Sequence, residues 1–148
     1  MFSTGPTRPA TGCARQALCT SETLSPSGEL SLDATQRGAL KRIKGFPGFV
    51  VDGFNYQSPD VCAYFLTHFH SDHTTGLHPG FRGPAPIYCS PVTASLLVEV
   101  LGVDPDLVRA VPTRTPTRVD TADGSHAIVT FLDANHCPGA VLVYMKHA

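Results

Sequence analysis

The sequence predicts an α/β fold, and three observations carry that prediction. Short apolar runs recur along the chain with polar loops between them, at 48–52, 62–67, 86–89, 126–132 and 140–145. Only the segment from Ser90 to Gly102 has clear helix punctuation at both ends. The two richest polar clusters each follow directly on one of the apolar runs, as functional loops do when a rigid scaffold presents them.

Each element has a local reason. Residues 1–36 are rich in Ser, Thr, Pro, Gly and Ala, and such a composition cannot bury enough surface to offset the entropy of ordering, so a disordered leader is expected there and a folded domain over 37–148. Cys13 and Cys19 in the leader have no nearby His or Cys to complete a zinc module. Arg37, Lys41, Arg42 and Lys44 put four cations into eight residues, a run that serves a phosphate contact or a nuclear-import signal in some chains and a solvated approach to a domain in more of them. Gly48 to Asp52 reads as a first strand ending in an acid, either a surface turn residue or a carboxylate that accepts the free ring N–H of a metal-bound histidine. A turn over 55–60 leads to a second strand from Cys62 to Thr67, and Gly76 to Gly80 closes a short helical turn after His73. Pro86 to Cys89 reads as a third strand.

Ser90 then caps a helix, Pro91 takes its first position and Gly102 stands just past its end. Val92, Ala94 to Leu97, Val100 and Leu101 form an apolar stripe, so a core-facing helix without chemistry is expected. From Asp104 to Asp123 the chain is rich in Pro, Thr and Arg, with Val108, Val111 and Val119 as strand fragments. Asp123-Gly124 signals a hairpin into the strand 126–132, which ends in the polar stretch Asp133 to Gly139 before a last strand over 140–145.

Composition bounds the rest. A chain of 148 residues with 42% apolar content can bury one core and is too short for two ordinary domains. No apolar run approaches a bilayer span, so a soluble protein with no membrane partner is expected. A net charge of −1 gives no global attraction to nucleic acid and leaves only local patches for that work. Five cysteines, odd in number and without C-x-x-C, fit reduced thiols in a cell better than a disulfide framework. The first residues carry no apolar signal-peptide core; Arg8, Arg15 and the lack of acids through Thr20 fit a transit peptide, but amphipathic periodicity is missing.

The chemistry concentrates in Thr67-His68-Phe69-His70-Ser71-Asp72-His73. One histidine is usually an ordinary surface or core residue. Three histidines and an aspartate as H-x-H-x-D-H at a strand end are a different matter, because neutral imidazoles and a carboxylate converging from a rigid element are what a divalent metal takes. Strand alternation would put His68 and His70 on one side, and a sharp turn would then have to bring back Asp72 and His73. His136 lies in the second strand-end loop; if the two strands are neighbours, His68, His70 and His136 meet at one sheet edge and leave a zinc its open position. His78, His126 and His147 have no comparable setting.

With Val51-Asp52-Gly53-Phe54, Tyr64 to His73, Ile87-Tyr88-Cys89-Ser90 and Leu132-Asp133-Ala134-Asn135-His136-Cys137-Pro138-Gly139-Ala140, the chain resembles the DNA cross-link repair nucleases of the metallo-β-lactamase/β-CASP family over about residues 45–146. The H-x-H-x-D-H motif alone would also admit small-molecule hydrolases of that fold; the Asp-Ala-Asn-His-Cys-Pro-Gly block narrows the choice to the DNA-repair branch. The resemblance implies the N-terminal half of an αββα metallo-β-lactamase sandwich with zinc at the sheet edge. It implies that His68, His70 and His136 match the ligands of one metal, Asp72 and His73 ligands of a second, and Asp52 the supporting acid, so that Asp52 and Asp72 carry the catalytic roles. It further implies zinc-dependent 5′-to-3′ exonuclease chemistry, in which zinc activates water against a phosphodiester, acting on DNA with damage or free 5′ ends in interstrand cross-link repair in the nucleus.

The family continues into a strand ending in Gly-Asp, whose aspartate bridges both metals, and into the β-CASP region. The chain departs from that pattern by ending at Ala148. The expectation is therefore a fragment with one zinc site largely complete and the second incomplete, little or no nuclease activity, and an exposed edge on the last strand. The competing expectations are a thioesterase- or lactonase-like hydrolase and a zinc-binding remnant without catalysis.

Overall fold

A computed structural model describes residues 38–148. The expected leader, with Cys13, Cys19 and Arg37, lies outside the described residues.

The elements follow the apolar runs. Strands β1 (Phe49–Val51), β2 (Ala63–Phe65) and β3 (Ile87–Cys89) lead into helix α1 (Pro91–Glu99), a 3₁₀ turn (Pro105–Leu107) and strand β4 (Val108–Ala110). Strands β5 (Thr117–Asp120), β6 (His126–Asp133) and β7 (Val141–His147) complete the described chain. The first four strands form an all-parallel sheet in the order β1-β2-β3-β4, and the last three an antiparallel sheet in the order β5-β6-β7. The architecture is α/β, with one sheet of each kind.

Alternation along the parallel strands explains why they read as unbroken apolar runs: both faces are covered. Val50, Tyr64, Ile87 and Cys89 pack with Ala94 and Leu97 of α1 and with Phe54 and Phe81. Phe49, Ala63 and Phe65 face the other way and pack against Val119, Ala127, Val129, Phe131 and Val141 of the antiparallel sheet. The described layers are thus helix, parallel sheet and antiparallel sheet. In β6 only Ala127, Val129 and Phe131 are buried, while Leu142 and Tyr144 of β7 stand exposed on the outer face.

Two expectations need correction. The strands that launch the histidine loops, β2 and β6, are not neighbours in one sheet; they belong to the two sheets that face each other. Periodicity identifies a strand but carries no information about its pairing partner. The apolar stripe of α1 is also narrower than the sequence implies: Thr93, Ala94 and Leu97 are buried, whereas Val92 and Val100 are 48% and 64% exposed. The helix punctuation stands, with Ser90 as N-cap, Pro91 at the first helical position and Gly102 at φ +67° beyond the end.

Candidate metal centre

Regular pairing in β2 ends at Phe65, so His68 and His70 sit on irregular chain rather than on an extended strand. They converge all the same, with ring centroids 4.6 Å apart. The sharp turn required to bring His73 back is present: the His70 carbonyl accepts from the amides of both His73 and Thr74, each at 3.0 Å. That one turn sets the His73 ring 4.0 Å from the His68 ring.

Asp52 follows β1 directly and is buried, which favours the orienting carboxylate over the surface turn residue among its two sequence readings. It holds a left-handed φ of +49° and is 9% exposed. Its Oδ1 accepts from the Thr67 amide at 2.9 Å, and its Oδ2 accepts from the Thr67 hydroxyl and from His73 Nδ1, both at 2.7 Å. The Thr67 hydroxyl proton goes to that carboxylate, so the hydroxyl oxygen meets His68 Nδ1, 2.9 Å away, as an acceptor. His68 and His73 therefore both carry their proton on Nδ1 and keep Nε2 free, the fixed-tautomer arrangement that metal-ligating histidines show. Burial, and then the neighbouring rings of His73, His70 and His136, push the His68 pKa down and favour the neutral, ligating form.

His136 reaches the same point from β6. In the intervening loop Asp133 Oδ1 accepts from the Asn135 amide at 3.0 Å, and Asn135 turns through φ +55°. The Val141 amide donates to the Thr67 carbonyl at 2.9 Å, tying the start of β7 to the residue before His68. His136 Nε2 lies 3.3 Å from His70 Nδ1. Two imidazole nitrogens about 2.0–2.1 Å from one tetrahedral zinc would stand about 3.3–3.4 Å apart, so this pair has the spacing of two ligands of a single ion. Ligand atoms of His68, His70 and His136 all lie within 4.8 Å of one another. The donor set and its spacing fit a zinc with one position left open.

Asp72 and His73 stand beside this trio. Asp72 is 77% exposed, with Oδ2 3.4 Å from His73 Nε2. The remaining histidines have local explanations: His78 Nδ1 accepts from the Gly80 amide, His147 stacks on Phe46 at 4.4 Å, and His126 opens β6. In the basic run, Arg42 makes a two-pronged ion pair with Asp60, at 2.6 and 3.0 Å, which leaves it poorly placed for a phosphate. Arg42, with help from the Ser58 hydroxyl, holds the Asp60 carboxyl well below the usual carboxylate range.

Three residues that organise the site escaped the sequence reading. Thr67 stands in the sequence as the end of a strand and the first residue of the histidine motif, with no role of its own. Ser90 and Thr93 were assigned to a helix without chemistry, yet both hydroxyls donate to the Gly139 carbonyl, at 2.6 and 3.2 Å, in the loop that carries His136. A hydroxyl directly before a candidate ligand was the available signal for Thr67; nothing in the sequence links Ser90 to position 139.

Together these features define an α/β protein whose two facing sheets bring three histidines into a cluster able to hold a divalent ion. No family model matches the chain. It is 47% identical over 107 residues to the DNA cross-link repair 1A protein of Mus musculus, covering 72% of this chain and 10% of that protein. It is 42% identical over 85 residues to the 5′ exonuclease Apollo of Gallus gallus, covering 57% of this chain and 17% of that protein. The chain belongs to the SNM1/Apollo family of DNA cross-link repair proteins, and it spans between about a tenth and a sixth of the length of these relatives. Among solved structures, a peroxy diiron chemotaxis sensor is similar at TM-score 0.46 and 20% identity, covering 65% of this chain and 45% of that one.

Proposed function

We propose that His68, His70 and His136 hold one zinc ion and that this centre serves a DNA nuclease of the 5′-to-3′ exonuclease type in interstrand cross-link repair. The observation that carries the reading is the convergence of three imidazoles at ligand spacing, two of them from the β2 loop and one from the β6 loop. The relatives, named as cross-link repair proteins and a 5′ exonuclease, support DNA as the substrate and the nucleus as the place of action. The helix and two sheets are in keeping with part of an αββα metallo-β-lactamase sandwich over 37–148, preceded by a leader. Among the described residues no helix is long and apolar enough to cross a membrane.

Bound zinc would supply Lewis acidity, making water a nucleophile near neutral pH and stabilising charge that develops on a phosphodiester. The chain's own residues prepare that chemistry. Thr67 and Asp52 fix the tautomers of His68 and His73, and so decide which ring nitrogens face the site. Asp72, exposed beside His73, would hold a water or a second cation next to the trio. Zinc content and release of a 5′ label from single-stranded DNA test the reading. One zinc per chain is expected, with both the zinc and any label release lost on His136→Ala. A folded chain that takes up no zinc with all three histidines intact would overturn it.

A further inference from the structure

We infer that Ser90 and Thr93 are positioning residues for His136, acting by clasping the backbone three residues beyond it; the inference rests on the three-histidine metal reading. Ser90 Oγ donates to the Gly139 carbonyl at 2.6 Å, Thr93 Oγ1 reaches the same oxygen at 3.2 Å, and the two hydroxyls lie 3.0 Å apart. Ser90 is 3% exposed and Thr93 fully buried. Capping the helix requires only a lone pair on Ser90 Oγ to meet the Thr93 amide. The Ser90 proton is additional to that role, and it goes to the metal loop.

Backbone geometry is consistent with a built contact. Gly139 turns through φ +81°, and a Cβ there would come within 2.9 Å of Ser90 Oγ and of Val92 Cβ. Only a residue without a side chain lets the loop approach the helix start this closely. From Gly139 back to His136 the chain is short and internally tied, since the Ala140 amide donates to the Cys137 carbonyl at 2.9 Å. A shift at Gly139 would therefore carry to Cys137, the residue next to His136.

The contact matters because the three ligands come from two sheets. Ser90 directly follows β3, and β3 is hydrogen-bonded beside β2, with Leu66 N donating to Tyr88 O at 3.0 Å close to His68. The clasp thus fastens the His136 loop to the sheet that presents His68 and His70. The Val141–Thr67 hydrogen bond makes a second fastening on the other side of the loop.

The test compares the 148-residue chain with Ser90→Ala, Thr93→Val, Ser90→Thr and His136→Ala, using cobalt absorption spectra and zinc affinity by chelator competition. Circular dichroism at the same temperature shows which variants are folded. Ser90→Ala and Thr93→Val are expected to weaken zinc binding by about 10- to 100-fold, the range seen when groups orienting a ligand are lost. Their cobalt spectra should move towards that of His136→Ala, and Ser90→Thr, which keeps the hydroxyl, should restore the parent spectrum. A purely structural role would lower the melting temperature and leave the spectrum of the folded protein unchanged, and that result would overturn the inference. If Ser90→Ala does not fold, the near-isosteric Thr93→Val decides. A parent chain that binds neither cobalt nor zinc removes the metal reading itself, an outcome distinct from parent-like binding by the variants.

Discussion

The loop after β2 and the loop after β6 deliver ligands to the same point by different means. The first is mainly local: His68, His70, Asp72 and His73 lie within six residues, and Asp52 and Thr67 hold two of them, His68 and His73, through one carboxylate and one hydroxyl. The second supplies His136 alone and depends on contacts to residues far away in sequence, Ser90, Thr93 and Thr67. A locally encoded cluster keeps its geometry as long as its own turn and its contact with Asp52 at the end of β1 form. A remote ligand requires the two sheets to be docked, so metal affinity is coupled to the packing of Phe49 and Phe65 against Val129 and Phe131.

The largest expected effect tests whether three ligands or five make the primary site. His68→Ala, His70→Ala and His136→Ala should each lower zinc affinity by more than about 100-fold, exceeding the loss expected for an orienting group. His73→Ala should still bind one zinc, because His73 lies outside the trio. Equilibrium dialysis of the four variants would decide it; if His73→Ala abolished binding as fully as His136→Ala, the division between trio and flank would be wrong.

Asp52→Asn comes next and bears on the local loop. Placed at Oδ1, the new amide nitrogen would face the Thr67 N–H; placed at Oδ2, it would force the Thr67 hydroxyl and His73 Nδ1 to give up their shared acceptor, so the native hydrogen-bond set cannot be kept. Each buried donor left unpaired costs about 1–3 kcal/mol. A loss of about 2 kcal/mol, or about 10 °C in melting temperature, is expected for a domain of this size. Thermal melts of the metal-free chain isolate this from any change in zinc binding, and an unchanged melting temperature would show that Asp52 is not the buried anchor.

How much of this was legible in the sequence follows the same division. The strands containing Phe49, Tyr64, Ile87, Val129 and Val141 were readable because apolar runs bounded by turn residues are local signals, as was the Ser90–Pro91 helix start. The H-x-H-x-D-H cluster was readable because its ligands are neighbours in sequence. Placement of β2 and β6 in different sheets was not, since either pairing satisfies the same alternation. Nor was the double hydroxyl contact to Gly139, because a Ser-Pro-x-Thr helix start is fully accounted for by capping. The exposure of Val92 and Val100 was hidden for a related reason: an apolar residue at helical spacing does not reveal how wide a face its neighbours cover.

Thr67→Val should have a smaller effect than Asp52→Asn on stability and a distinct one on the metal. Valine keeps the volume but removes the hydroxyl that joins Asp52 to His68. His68 would lose the acceptor that fixes its tautomer, and zinc affinity should fall by about tenfold, at the low end of the range for orienting groups. Nitrogen NMR of the His68 ring in the metal-free chain gives a direct readout: the parent should hold its proton on Nδ1, and the variant should show a mixture. A parent ring already mixed between tautomers would remove Thr67 from the network.

The smallest effect serves as a control far from both loops, at the turn joining β5 and β6. Asp123 accepts from the hydroxyls of Thr121 and Ser125 and from the Ser125 amide, and these hydrogen bonds lower its pKa from 3.8 to about 2. Because the folded state binds this proton less readily than the unfolded chain, the turn's contribution is complete above about pH 4 and lost as pH falls through about 2. A carbon-detected carboxylate titration should place the Asp123 midpoint near 2, and Asp123→Asn should leave zinc affinity unchanged at pH 7. Should that substitution weaken zinc binding as Thr67→Val does, the β6 loop would be answering to strain anywhere in its sheet, and the dependence of His136 on its fastenings at Gly139 and Val141 would lose its specificity.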